Sequence, residues 1–188
     1  MFEAADAGCA TVLVELDLSA AFDTIDHAVL LNRLLVTFGV TGTALNWIKS
    51  YLTARISFVK IDSISSSTIS LDTGVPQGSI LGPLLFTLFT TPFGEIISRF
   101  GLRFHQYTDD TQIYIAVRRD NIACAMSNLA ACTSAVYDWL LHNRLALNPD
   151  KLEAATYGTA SRVQSLNHGC WCSRQVISQH QKSWCYHR

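Results

Sequence analysis

Three aspartates occupy positions where predicted β-strands end or turn. Asp17 ends a strand predicted by the apolar, β-branched run 11–18, and Asp109 and Asp110 form the tip of a predicted hairpin. Carboxylates that converge from separate strands could hold two Mg²⁺ ions, which clamp the attacking and leaving oxygens in phosphoryl transfer. Because side chains alternate along a strand, Tyr107 and Asp109 are expected to share a face, with Asp110 pointing elsewhere unless the turn re-aims it. Spacing alone favours a structural alternative, in which Asp-Asp is a polar hairpin turn and Asp17 a helix cap.

The elements that must position these aspartates follow from the apolar periodicity of the chain. Asp26 and Asp120 are predicted to cap two of the helices, and Pro83 is tolerated in the first turn of a third. The expected strands are 11–18, 56–61, 68–72, 102–107, 112–117, 145–147 and a last one ending at Tyr157, and the expected helices begin near Asp26, Thr43, Ile80 and Asp120.

Four segments, in order, resemble motifs A to D of the reverse transcriptases of non-LTR (LINE-type) retrotransposons. They are 16–27 (LDLSAAFDTIDH), 74–86 (GVPQGSILGPLLF), 107–114 (YTDDTQIY, the YxDD box) and 139–151 (WLLHNRLALNPDK). A single YxDD box would be a weak signal, but the ordered set is specific, and its wording is closest to jockey-like elements. The resemblance implies an α+β polymerase palm, an antiparallel sheet backed by helices, that performs RNA-templated DNA synthesis.

The resemblance also implies roles for three aspartates, a phenylalanine and a lysine. Asp17 and Asp109 would hold the two catalytic Mg²⁺ ions, for which Mn²⁺ can substitute, and Asp110 would be a third carboxylate beside them. Phe22 matches the steric gate that rejects a ribose 2′-hydroxyl and so favours dNTPs; its alternative is plain core packing. Lys151 stands where the family carries a lysine proposed to protonate the leaving pyrophosphate, and its alternative is a solvated surface lysine.

A second set of residues is implied to bind substrate. Gly74, Pro76, Gln77 and Gly78 would form the loop that holds the template base opposite the incoming nucleotide, because glycines permit close backbone approach and a glutamine offers both a donor and an acceptor. Tyr107, the first residue of the YxDD box, is counted with them. The alternative for the loop is an ordinary Pro-Gly turn before a helix. The implied partners are an RNA template with a DNA primer, and dNTPs.

Composition and charge limit the function classes that fit the chain. Apolar residues make up 49% of the 188 residues, so the chain can bury a core, and no membrane segment or signal peptide is expected. Residues 1–161 carry ten basic and fifteen acidic residues, a net charge of −5, which disfavours a non-enzymatic RNA-binding module. A two-metal nuclease would use the same carboxylates but would have no use for Phe22 or the 74–78 loop. A catalytically inactive retroelement remnant would keep all the motifs. Scattered cysteines indicate a reduced, intracellular protein.

Two parts of the chain are expected to differ in kind. Residues 1–161 are predicted to form the palm core, with fingers and thumb largely missing. Residues 162–188 hold four basic residues, no acid and no apolar period, so they are predicted to be an atypical tail, disordered or read in a shifted frame. Zinc binding by Cys170, Cys172, Cys185 and His187 is the disfavoured alternative, since their spacing matches no known knuckle.

Overall fold

A four-stranded antiparallel sheet forms the centre of residues 9–158, the part of the chain that the computed structural model describes. Its strands are β1 (Ala10–Leu16), β7 (Arg103–Tyr107), β8 (Asp110–Val117) and β10 (Glu153–Tyr157), in the order β10-β1-β8-β7. β1 is almost wholly buried, as expected of a β-branched, apolar strand between two neighbours. The predicted α+β class with an antiparallel sheet is confirmed.

The predicted strand 11–18 is interrupted at its catalytic candidate. β1 ends at Leu16, Asp17 lies outside both strands, and β2 (Leu18–Ser19) pairs instead with β9 (Ala146–Leu147) in a separate two-stranded sheet. The chain therefore changes partner at Asp17. This change brings the segment after β9 next to that aspartate.

Four helices complete the described part of the chain: α1 (His27–Val36), α2 (Gly42–Leu52), α3 (Leu81–Arg99) and α4 (Ile122–His142). Asp26 caps α1 as predicted, since its Oδ1 accepts from the backbone N–H groups of Ala28 and Val29 at 2.9 and 3.1 Å. The predicted cap of α4 is wrong. Asn121 is the N-cap of α4, and Asp120 lies one residue before it, where it pairs with Arg118 at 3.5 Å.

A ribbon of short strands joins α2 to the loop that precedes α3. The structure divides the predicted strands 56–61 and 68–72 into β3 (Ile56–Ser57), β4 (Lys60–Ile61) and β6 (Ile69–Ser70). A further strand, β5 (Ile64–Ser65), pairs with β4 inside the segment predicted as a turn. β3 pairs with β6, and the side chains of all four strands are exposed, so no packing lengthens them.

The core lies between the sheet and the two longest helices. α3 buries Phe86, Phe89, Phe93 and Ile97, and α4 buries a matching apolar stripe that includes Leu129. Within the described residues, α3 is the one helix long and apolar enough to cross a membrane, a test that buried core helices also pass. The predictions for 162–188, the tail and its zinc alternative, lie outside the described residues.

Candidate active site

The segment after β9 holds Asp17 in place through hydrogen bonds. The backbone N–H of Asn148 donates to the Asp17 carbonyl at 2.9 Å, and its Nδ2 donates to Asp17 Oδ2 at 3.2 Å. A short 3₁₀ helix, Pro149–Lys151, then places Lys151 Nζ at 3.4 and 3.5 Å from the two Asp17 oxygens. The Asp17 side chain is 16% exposed and that of Lys151 is 66% exposed, so the pair is open to solvent from the lysine side.

The hairpin between β7 and β8 has a tip of two residues, which decides where its aspartates point. Thr108 adopts a φ of +57°, and Tyr107 pairs directly with Asp110 across the ladder. Directly paired residues share a face of the sheet, so the tight turn overrides the simple alternation that placed Asp109 with Tyr107. Asp110 thus belongs to strand β8 and not to the tip.

The register brings Asp110 beside Asp17. Partial burial, the neighbouring carboxylates of Asp109 and Asp17, and a hydrogen bond with the Asp17 side chain raise the pKa of Asp110, while Lys151 opposes the shift. Carboxylates this close repel one another when ionised, so a cation between them would be stabilised.

A cavity of about 370 Å³ surrounds the Asp17–Asp110 pair. Its charged side chains are Glu15, Asp17, Asp110, Asp150, Lys151 and Glu153. Within residues 9–158, no group of three His, Cys, Asp or Glu side chains stands ready to hold one ion. Two carboxylates nevertheless suit Mg²⁺, which is usually bound by one or two carboxylates together with water and substrate phosphates. The two carboxylates therefore fit a divalent metal ion whose remaining ligands would come from water and substrate.

A second cavity has a volume of about 420 Å³. It is lined by Phe22, by Pro76, Gln77 and Gly78, and by Asp109. The two aspartates of the YxDD box thus line different cavities, Asp110 the first, acidic cavity and Asp109 the one beside Phe22. The predicted gate, the predicted loop and one catalytic candidate border a single space.

The loop 74–78 is fixed to the segment that carries Phe22. The Val75 N–H donates to the Phe22 carbonyl at 2.8 Å, and the Phe22 ring lies 5.2 Å from the ring of Phe86 in α3. Gln77 Nε2 donates to both oxygens of Asp23 at 3.2 Å. This contact commits the amide nitrogen of Gln77 and leaves its oxygen to accept from another group.

The sequence of the chain matches the protein family described as reverse transcriptase (RNA-dependent DNA polymerase) over residues 3–184. The chain belongs to the reverse transcriptase family. It is 30% identical over 172 residues to the RNA-directed DNA polymerase from mobile element jockey of Drosophila melanogaster, covering 88% of this chain and 18% of the relative. The corresponding protein of Drosophila funebris is 29% identical over 152 residues, covering 78% and 16%. The chain therefore spans less than a fifth of the length of these relatives.

Solved telomerase structures share the fold of this chain. The telomerase of Candida tropicalis superposes with a TM-score of 0.60 at 11% identity, covering 78% of this chain and 31% of that one. The telomerase of Candida albicans, solved in complex with a fragment of telomeric RNA, gives 0.58 at 13% identity and covers 80% and 27%. These likenesses support the palm assignment and carry no argument about substrate.

The reverse transcriptase motifs meet in space as two neighbouring groups. The first joins Asp17, Asp110 and Lys151, and the second joins Phe22, Asp109 and the loop residues 76–78, while Gly74 does not line either cavity. Tyr107 is 75% exposed and lines neither cavity.

Four residues with direct contacts to these groups had no role in the sequence prediction. Asp23 holds Gln77, Asn148 holds Asp17, and both His27 and Arg55 bind the carbonyl of Gly74. Three of the four residues lie inside the segments that resemble reverse transcriptase motifs: Asp23, His27 and Asn148. Their polar side chains within those motifs could have marked them as site residues. Arg55 lies outside those segments, and only the fold brings it to the loop.

Proposed function

We propose that this chain is the palm core of an RNA-directed DNA polymerase that joins dNTPs to a DNA primer on an RNA template. The observation that carries the proposal is the adjacency of an aspartate pair, suited to a divalent cation, to a cavity bordered by Phe22 and the 74–78 loop. A nuclease would need the aspartate pair but not the cavity beside Phe22. A nucleotidyl transferase needs both, because it must bind a metal and select a nucleotide.

In the proposed reaction, Asp17, Asp109 and Asp110 would hold two Mg²⁺ ions between them. Bound there, the ions would favour deprotonation of the primer 3′-hydroxyl and stabilise the charge that develops on the α-phosphate and the leaving pyrophosphate. Asp17 and Asp110 would contribute from the acidic cavity and Asp109 from the neighbouring one. Their mutual repulsion in the free protein favours cation binding.

Phe22 and the loop would select the nucleotide and position its template partner. The Phe22 ring packs against Phe86, which limits its movement toward or away from a sugar in the cavity. A rigid aromatic wall would clash with a ribose 2′-hydroxyl and accept a deoxyribose. The free amide oxygen of Gln77 would accept a hydrogen bond from a nucleotide or template group.

Lys151 would act on the leaving group. It pairs with Asp17 at 3.4 Å, and its exposed ammonium could turn toward a phosphate bound beside that carboxylate. The ammonium would then donate a proton to the departing pyrophosphate oxygen.

Primer extension on an RNA template, with Mg²⁺ or Mn²⁺, tests the proposal. The 188-residue chain is expected to add dNTPs in a template-dependent manner, and Asp109→Asn is expected to abolish this synthesis. Asp120→Asn is the matched control, because Asp120 lies on a surface turn paired with Arg118. Lack of any synthesis by the unaltered chain would instead identify it as an inactive remnant of a retroelement polymerase.

A further inference from the structure

The backbone carbonyl of Gly74 accepts hydrogen bonds from two side chains that belong to different elements. His27 Nε2 lies 2.7 Å from this oxygen and Arg55 Nη1 lies 2.8 Å from it. Because a carbonyl can only accept, Nε2 of His27 carries the proton. His27 is the first residue of α1 and Arg55 stands just before the ribbon of β3 to β6, so the carbonyl ties the loop to both.

The backbone around Gly74 is also in close contact with the segment that carries the gate. Gly74 adopts a φ of +79°, and its N–H donates to the Ile25 carbonyl at 2.8 Å. A Cβ on Gly74 would lie 2.9 Å from the Asp23 carbonyl oxygen and 3.1 Å from that of Phe22. The Gly74 backbone is therefore packed closely against the backbone of Phe22 and Asp23, with no room for a side chain between them.

We propose that His27 and Arg55 are positioning residues that set the sugar selectivity of the polymerase, an inference that rests on the proposed function. Neither side chain lines the cavity beside Phe22. They act through the Gly74 carbonyl, which their two hydrogen bonds hold in place beside the segment that carries Phe22. The position of the Phe22 ring is then fixed from its backbone, through the Val75-to-Phe22 hydrogen bond, as well as from its side chain.

The two donors have complementary properties. His27 is 8% exposed, so its bond to Gly74 is shielded from competing water and its loss leaves a buried acceptor half satisfied. Arg55 is partly buried, and its backbone carbonyl accepts from Leu71 N–H at 2.9 Å across the base of the ribbon. Removal of either donor is expected to let the Gly74 peptide relax toward the cavity.

The test compares apolar and conservative variants at each position in the 188-residue chain. His27→Leu and Arg55→Met remove the donors, whereas His27→Gln and Arg55→Lys keep one. Arg119→Met is the matched control, because Arg119 is exposed on the turn before α4. Hydrogen exchange of the Gly74 and Val75 amides reports the loop directly, and the amides of β1 report whether the variant is folded.

Each apolar variant is expected to speed exchange of the two loop amides by about fivefold, the equivalent of one net hydrogen bond, while β1 amides stay protected. The ratio of kcat/KM for a dNTP over the matching rNTP is expected to fall by roughly the same factor, with partial recovery in the conservative variants. If the exchange rates of the Gly74 and Val75 amides do not change, His27 and Arg55 do not hold the loop. If these rates rise but the dNTP-over-rNTP ratio of kcat/KM stays the same, the two residues do not set sugar selectivity. If the unaltered chain makes no DNA, the proposed function and the selectivity role fail together, and the exchange data alone decide whether the two side chains hold the loop.

Discussion

Gly74→Ala is expected to destabilise the protein by about 2–4 kcal/mol, through two separate costs. The first is conformational, because alanine is disfavoured at a φ of +79° by about 1–2 kcal/mol, offset in part by the smaller entropy of its unfolded chain. The second is steric. The new Cβ would stand 2.9 Å from the Asp23 carbonyl oxygen and 3.0 Å from its Cα, and both atoms are backbone.

The steric cost cannot be avoided by a rotamer change. The Asp23 backbone is held by its N–H bond to the Ala20 carbonyl at 3.0 Å, and the Gly74 backbone by its bonds to Ile25, His27 and Arg55. Overpacking of this kind typically costs about 1–3 kcal/mol. Relief would require the loop to separate from the gate segment, so the variant is also expected to lose selectivity between dNTPs and rNTPs.

Urea unfolding followed by tryptophan fluorescence measures the effect. With a slope of about 2 kcal/mol/M for a chain of this size, the midpoint of Gly74→Ala is expected to fall by roughly 1–2 M. Gly101→Ala is the control, since Gly101 has a φ of +67° and no atom within 4 Å of its would-be Cβ. Its midpoint should fall by about 0.5–1 M, from the conformational cost alone. Equal shifts in the two variants would refute the close packing of loop against gate.

Three further changes test other parts of the structure. Gly94→Ala would place a Cβ 2.5 Å from the Phe104 ring, so we expect urea midpoints to show a loss of about 1–3 kcal/mol, partly recovered by adding Phe104→Leu. Arg33→Lys should cost about 1–2 kcal/mol in the same assay, because one ammonium cannot reach both the Phe89 carbonyl and Asn143. Asp110→Asn, measured in EDTA, should be more stable than the unaltered chain at pH 7. The folded-state pKa of Asp110 is raised, so this advantage should disappear as the pH falls through that pKa, and a constant difference would contradict the shift.

Much of the fold could be predicted from the sequence because its pattern and its packing agree. The buried part of the predicted strand before Asp17, the Asp26 cap and the apolar helix predicted over 80–98 each combine a local signal with burial in one core. The ribbon between α2 and α3 was predicted less well, since its apolar side chains, such as Ile61 at 69% and Ile64 at 77%, are exposed. When the apolar side chains of a strand are not packed against other elements, their pattern in the sequence determines neither the length of the strand nor the position of the turn.

The sequence named the acidic residues of the candidate site but did not predict how the hairpin orients them. The motif resemblance placed Asp110 beside Asp17 and Asp109, which agrees with the neighbours of Asp110 in the structure. Simple strand alternation put Asp109 on the face of Tyr107, whereas Tyr107 pairs with Asp110. The difference depends on a left-handed Thr108, which tightens the hairpin tip to two residues and moves Asp110 into the ladder. Threonine at that position carries no strong preference for a positive φ, so the turn type was not readable from the residues.

The acidic cavity carries mostly negative charge, which affects how it could bind a nucleotide. Asp17 and Asp110 line it together with Glu15 and Glu153, and among residues 9–158 Lys151 is the one basic side chain in its lining. Phosphate would be repelled from such a surface in the absence of a divalent cation. A divalent cation and a nucleotide are therefore expected to bind together, because Asp17 and Asp110 would hold the cation and its charge would offset theirs. Lys151 is paired with Asp17 in the free protein, and its exposed ammonium would be within reach of a phosphate bound beside that carboxylate.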